Sequence, residues 1–403
     1  MLRFLTAGES HGQTLVATLD GLPAGLDLDF DALNAQLTRR QGGYGRGRRQ
    51  AIESDRAEIL SGVRHGRTTG APLALLVRNK DWVNWQQTMH VESAMPEGAT
   101  GTKRPDVVRP RPGHADLAGA LKYGLDDIRD VLERASARET AARVAGGSIC
   151  RQLLAAFDIH IVSHVTAIND AILPAGTEVS FEQAAGIPAD APLRCADEAV
   201  QQRMMAVIDA AREAGDTAGG AFEVIVKGLP VGLGSHTQWD RKLDGRLGQA
   251  IMCIHAIKAV GIGIGPEVAF RPGSEVHDAI LPPAPGGAPQ RPTNRAGGLE
   301  GGVTNGQELR LTGFMKPIAT LMEPLPSIDM TTMAVAPAAI ERSDVCAVPA
   351  AAVVGEAMVA LVLADAFLEK FGGDSLPEIR RHYEASAELV ARRLAPRGAP
   401  ALD

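Results

Sequence analysis

The chain has 403 residues, 45% of them hydrophobic and 22% charged, a balance that suits a soluble protein with apolar mass enough for a large core. Its net charge of −7 speaks against holding nucleic acid by surface charge alone, and no run of about 18 uninterrupted apolar residues marks a membrane span. Four scattered cysteines, Cys150, Cys195, Cys253 and Cys346, form no C-x-x-C pair, which argues against a structural metal site or disulfide framework and fits a reducing cytoplasm.

The N-terminus, MLRFLTAGESHG, has no basic start followed by a long apolar stretch, so no signal peptide is expected. Within it Glu9, Ser10 and His11 stand between Gly8 and Gly12, where an imidazole is easily reached. QTLVATL (13–19) reads as a strand. Asp29 is placed to cap a helix over FDALNAQLTRR, with Phe30, Leu33 and Leu37 on one face. That helix delivers Arg39 and Arg40 to a glycine-rich loop, QGGYGRGRRQ, that adds Arg46, Arg48 and Arg49. A second cluster, RPDVVRPRPGHAD (104–116), sets Arg104, Arg109 and Arg111 before His114 and Asp116. An acidic protein that gathers guanidinium groups in two short segments is building a local anion site, because the planar fork of Arg matches carboxylate and phosphate oxygens in pairs. The irregular stretch 80–116 is too long for a mere connector.

SARE (136–139) has capping-box spacing and opens a helix through TAARVAGGSICRQLLAAF; a helix N-terminus also offers N–H groups to an anion. Strands follow at 159–168 and 222–228, with an Ala-rich helix near 197–214 between them. A further helix opens near Asp240 and buries Leu243, Leu247, Ile251 and Ile254. GLPAGL (21–26) and GLPVGL (228–233) each follow a strand-like run, which suggests one unit repeated around a shared core. Residues 281–298 read as a linker or mobile loop, and GGLEGGVTNGQ (297–307) as backbone able to approach a ligand closely. The last long helix spans 349–372 and is apolar on most faces, hence buried; a frayed, partly ordered tail is expected after it, about 373–403, in a chain otherwise read as a single large domain.

Three constellations carry chemistry: His11 with Ser10 and Glu9, His114 with Arg111 and Asp116, and Arg342, Ser343 and Asp344 in ERSDVCA. Imidazoles exchange protons near neutral pH, so two of them beside arginine clusters suggest acid catalysis on an anionic leaving group. His65, His90, His160, His164, His236, His277 and His382 lack such a setting. There is no G-x-x-x-x-G-K-[ST], and neither GIGIG nor GYGRG continues as a dinucleotide fingerprint. The basic segments also lack the aromatic platforms of an RNA-binding surface.

GESHGQTLVATLDGLPAG (8–25), ERASARETAARVAGGSI (133–149) and RSDVCAVPAAAVVGEAM (342–358), together with RPGHAD, WDRKLDGR, GGLEGG and MKPIAT, resemble the chorismate synthase family from the first residues to about 365. The resemblance implies an α/β (α+β) fold, a β-α-β sandwich with internal pseudo-symmetry, assembled as a homotetramer. It also implies the reaction, anti-1,4-elimination of phosphate from 5-enolpyruvylshikimate 3-phosphate to give chorismate, with reduced FMN and no net redox change. By the same resemblance His11 is the acid toward the departing phosphate, His114 stabilises the flavin's charge state, and Asp344 assists hydrogen removal. Arg40, Arg46, Arg49, Arg111, Arg138 and Arg342, with Ser10, would hold substrate oxygens. Arg134, Ala135, Ser136, His255, Ala256, Gly301, Lys316, Pro317, Ile318, Ala319, Thr320 and Arg342 would hold the flavin. Two positions depart from the family pattern, His255 where Gln is frequent and Ala135 where Ser is. The resemblance leaves open whether NADPH (the NADP couple) reduces the flavin at this chain; the lack of a nicotinamide motif favours an external flavin reductase. No metal, nucleic acid or membrane partner is expected.

Overall fold

Alternating burial along Thr14–Asp20 and Leu73–Arg78 turns one side of each strand inward, and the two pair antiparallel at the centre of a four-stranded sheet. Its order is Arg3–Ala7, Thr14–Asp20, Leu73–Arg78, Ala57–Ser61. A five-stranded antiparallel sheet follows the order Ile257–Ile262, Leu309–Met315, Gly220–Lys227, His160–Ile168, Ala171–Ile172. The structure is a computed structural model that describes residues 2–47, 55–95, 97–283, 289–341 and 344–394.

Helices lie between the sheets. The Thr140–Ala155 helix packs on the first sheet and the Val348–Phe371 helix on the second, and the two pack on each other. Their approach needs Gly147, where an added Cβ would lie 2.5 Å from Ala357 Cβ. The Phe30–Gln41 and Leu243–Met252 helices flank this pair. Val348–Phe371 is long and apolar enough to cross a bilayer, but most of it is buried inside the protein; its apolarity serves the core.

The GLPxGL echo is a turn built twice. Gly21 and Gly228 have φ of 94° and 91°, and Gly25 and Gly232 have 91° and 96°, a region favourable to glycine. Thr68 Oγ1 accepts from the Leu26 N–H (2.9 Å) and donates to the Pro23 carbonyl (2.7 Å). Thr304 repeats this with Leu233 (2.8 Å) and Pro230 (2.6 Å). Each threonine ends a two-residue hairpin. Both halves then share one order: two paired strands, the turn, a helix, a strand, the hairpin, a strand, and a long central helix. They differ where the first two strands join, through residues 8–13 in one half and 169–219 in the other. The short joint carries His11.

Several local expectations shift. Asp29 caps the Phe30–Gln41 helix as read, through bonds from the Asp31 and Ala32 N–H groups, but Phe30 is exposed while Leu33 and Leu37 are buried. The SARE capping box does not form. Ser136 accepts from Arg138 N at the start of a single 3₁₀ turn, while the Glu139 carboxylate turns away to Thr6 Oγ1 and Arg143 Nε. Asp240 lies in a separate 3₁₀ turn ahead of the Leu243–Met252 helix. The Gly-rich 297–307 segment closes on its own chain: a Cβ on Gly298 would meet the Glu308 carbonyl at 2.6 Å. Part of the expected 281–298 loop, 284–288, lies outside the described residues. Beyond the buried helix, a 19-residue helix, Leu376–Leu394, occupies what the sequence reads as tail.

Candidate active site

The loop that carries Ser10 and His11 is fixed from outside itself. Ser10 N donates to the Glu133 carbonyl (3.0 Å), and the Arg134 guanidinium binds the Gly8 and Thr6 carbonyls (3.0 Å each). The buried Glu133 carboxylate receives the His11 backbone N–H (2.8 Å) and approaches His11 Nδ1 at 2.8 Å. A carboxylate there requires a proton on Nδ1, which turns the ring's chemistry over to Nε2. Trp85 stacks on the imidazole, with centroids 3.6 Å apart, and the Arg104 guanidinium lies 3.8 Å from the Trp85 ring.

His114 is arranged similarly with local parts. Its Nδ1 lies 2.5 Å from Asp116 Oδ1, in the first turn of the Asp116–Tyr123 helix. Arg111 binds both Asp116 oxygens (2.8 and 3.1 Å) and donates to Thr320 Oγ1 (2.9 Å). Burial alone would raise the Asp116 carboxyl, but the His114 and Arg111 hydrogen bonds, with their charges, hold it far below the usual carboxylate range.

Arg40, from the first arginine segment, meets Arg138 at the start of the Thr140–Ala155 helix. Arg40 donates to Thr140 Oγ1 (2.9 Å) and the Ala137 carbonyl (2.8 Å). It lies 3.6 Å from Asp55, whose other oxygen is 3.0 Å from Arg138. Ser136 Oγ donates to Ser10 Oγ (3.1 Å), which joins this helix start to the His11 loop. Arg46 pairs with Asp344 at 2.5 Å, and Gly47 N–H donates to the other Asp344 oxygen (2.7 Å). The arginine loop is thus tied to the entry of the Val348–Phe371 helix. Arg49 and Arg342 lie outside the described residues.

The flavin-assigned residues divide. His255 has a buried Nδ1 with no hydrogen-bond partner. Burial first, then Arg143, lowers its imidazole to about 4, and His114 and Arg40 lie within electrostatic reach. The Ala256 carbonyl accepts from Lys316 N (2.9 Å), which sets 255–256 beside 316–320. Thr320 is bound by Arg111, and Lys316 and Ala319 face Gly113. Arg134, Ala135 and Ser136 follow Glu133 directly. Gly301 stands apart: its neighbour Gly302 accepts from Leu243 N at the start of the helix that ends just before His255, about 15 Å of helix away. Among the described residues no cluster could hold a metal ion.

Glu133, Trp85 and Asp55 are absent from the sequence reading. Glu133 opens the quoted ERASARE segment, but no spacing ties it to His11, 122 positions earlier.

The sequence profile of the family described as Chorismate synthase matches residues 2–368. The chain belongs to that family. Chorismate synthase of Solibacter usitatus is 54% identical over 390 residues, 97% of this chain and 99% of that protein. Chorismate synthase of Moorella thermoacetica is 56% identical over 390 residues, again with 97% and 99% coverage. A crystal structure of chorismate synthase superposes with a TM-score of 0.77 at 41% identity, covering 97% of this chain and 98% of that one. The α+β sandwich is therefore shared with a chorismate synthase of known structure, and the chain's activity class is that of a lyase.

Proposed function

We propose that the chain eliminates phosphate from 5-enolpyruvylshikimate 3-phosphate to form chorismate, the reaction of its family. The observation that carries this beyond kinship is the pairing of two imidazoles with buried carboxylates, beside buried arginines that meet at one helix start. Arg40, Arg46, Arg111 and Arg138, with Arg49 and Arg342, bind the carboxylates and phosphate of the substrate, and Ser10 adds a hydroxyl. His11, fixed by Glu133 and Trp85, presents Nε2 to protonate the departing phosphate. Asp344, held by Arg46 and Gly47, is the carboxylate assigned to hydrogen removal.

The residues fit a flavin: the orphaned His255 Nδ1 is a buried polar atom in need of a partner, and Lys316 adds a cation whose proton burial and nearby Lys258 loosen. Bound reduced FMN would supply electron density to the elimination, with no net redox change. Ser136, His255, Ala256 and Lys316–Thr320 hold it. The Arg134 side chain is committed to the Gly8 and Thr6 carbonyls, so residues 134 and 135 would contribute through backbone, and His114 would stabilise the flavin's charge state.

We take the working protein to be a cytoplasmic homotetramer of single-domain chains served by an external flavin reductase. Exposed Leu5 and Leu60 on the first sheet's strands support association. Anaerobic assay with chemically reduced FMN should release phosphate and form chorismate. NADPH with oxidised FMN should not replace it. No product under reducing conditions overturns the reaction, and stoichiometric NADPH consumption would favour an ordinary flavin oxidoreductase.

A further inference from the structure

Toward the C-terminal end of the Thr140–Ala155 helix, away from Arg138, a cavity of about 160 Å³ opens. It lies between that helix, the Phe30–Gln41 helix and the start of the His160–Ile168 strand. That volume is on the scale that accepts a benzene-sized ring. One part of its lining is apolar, with Ala32, Ile159 and Ile161, and another is polar, with Gln36, Ser148 and Arg151. Ser148 is 3% exposed, and its Oγ has no hydrogen-bond partner, an arrangement that calls for an explanation in a folded protein.

The charge behind the cavity is unbalanced. Glu356 is buried and is bound by Arg39, Arg151 and Ser163 Oγ, with Arg194 3.9 Å away. Three guanidinium groups face one carboxylate. Burial and the neighbouring Arg39 charge lower Arg194 to about 10, with Glu356 opposing and Arg151 adding to the effect. Arg151 uses donors on Glu356 and the Ile161 carbonyl, which leaves others of its five for the cavity.

We propose that this cavity binds a small organic carboxylate with a compact apolar body. The carboxylate takes Arg151 and the Ser148 hydroxyl, and the body packs on Ile159, Ile161 and Ala32. A pocket with a few convergent donors and an apolar wall selects for both parts together. Inorganic phosphate answers the charge but leaves the isoleucine wall uncovered, and a neutral ring does the reverse. One helical turn separates Gln36 from Arg40, which lies outside the cavity's lining.

Isothermal titration of the full chain with benzoate, benzamide and inorganic phosphate tests this. Benzoate should bind saturably, and benzamide and phosphate at least tenfold more weakly. Ala155→Phe, which fills the cavity, should weaken benzoate at least tenfold, and Ser148→Ala severalfold. Arg151→Gln should abolish binding, but it also strips Glu356 of a partner, so the two milder variants decide. No saturable benzoate binding, phosphate binding as tightly, or affinity unchanged in Ala155→Phe overturns the proposal. None of these variants alters an active-site residue, so failure here leaves the elimination reaction standing.

Discussion

His11 and His114 have the same device made by different means. Each sets Nδ1 against a buried carboxylate. His114 finds its partner two residues away, and Asp116 is already bound through both oxygens by Arg111. His11 takes Glu133 from 122 residues away, and among the described residues the cation paired with that carboxylate besides His11 is Arg129, 3.9 Å off. The 2.5 Å contact to Asp116 requires a proton on His114 Nδ1, and the Arg111 Nη2 that donates to Asp116 Oδ1 (3.1 Å) also lies 3.5 Å from His114 Nε2. Glu133 therefore turns most of its charge toward His11, while Asp116 divides its charge between a ring and a guanidinium. The first arrangement suits an imidazole that delivers a proton to phosphate. The second suits one that holds a fixed charge state beside a flavin.

The largest effect should come from His11→Ala and His114→Ala, each slowing turnover about 10²–10⁴-fold with the fold intact; near-wild-type rates in both would remove the assignment. Next, Glu133→Gln should lower kcat about tenfold or more with KM little changed, and alter the pH–rate profile, because the amide cannot balance an imidazolium. Should Glu133→Gln leave the profile unmoved, Glu133 is only structural. Asp116→Asn should cost more in stability than Glu133→Gln, since it strands the buried Arg111; equal unfolding midpoints in urea would erase the distinction between the pairs.

Acid titration sharpens it further. Asp116 is depressed on folding, so its contribution is present above about pH 4 and fades as pH falls below the ordinary carboxylate value. Asp116→Asn should lose that portion of the acid sensitivity. The smallest effect concerns His255. Its folded value of about 4 lies below its usual 6.5, so the unfolded chain binds more protons between those values. Stability should fall as pH drops through that window, by at most about 1.4 kcal/mol per pH unit. His255→Gln should flatten this slope; an unchanged slope would mean that the imidazole is solvated.

Sequence alone determined the pieces whose cause is local. The Asp29 cap, the apolar face of Leu33 and Leu37, the strands read at 13–19 and 159–168, the RPGHAD cluster of Arg111, His114 and Asp116, and the repeated GLPxGL turn all depend on residues a few positions apart, or on a motif that returns with the same backbone angles. Tertiary structure decided whatever required distant chain to meet: Glu133 and Trp85 on His11, Asp55 shared by Arg40 and Arg138, Asp344 on Arg46, and Glu139 drawn from its expected cap to Thr6. A hydrogen bond between residues more than a hundred positions apart leaves no periodicity in the sequence. Its formation depends on the two sheets closing over their helices, and that closure also separates Gly301 from His255 by the length of a helix.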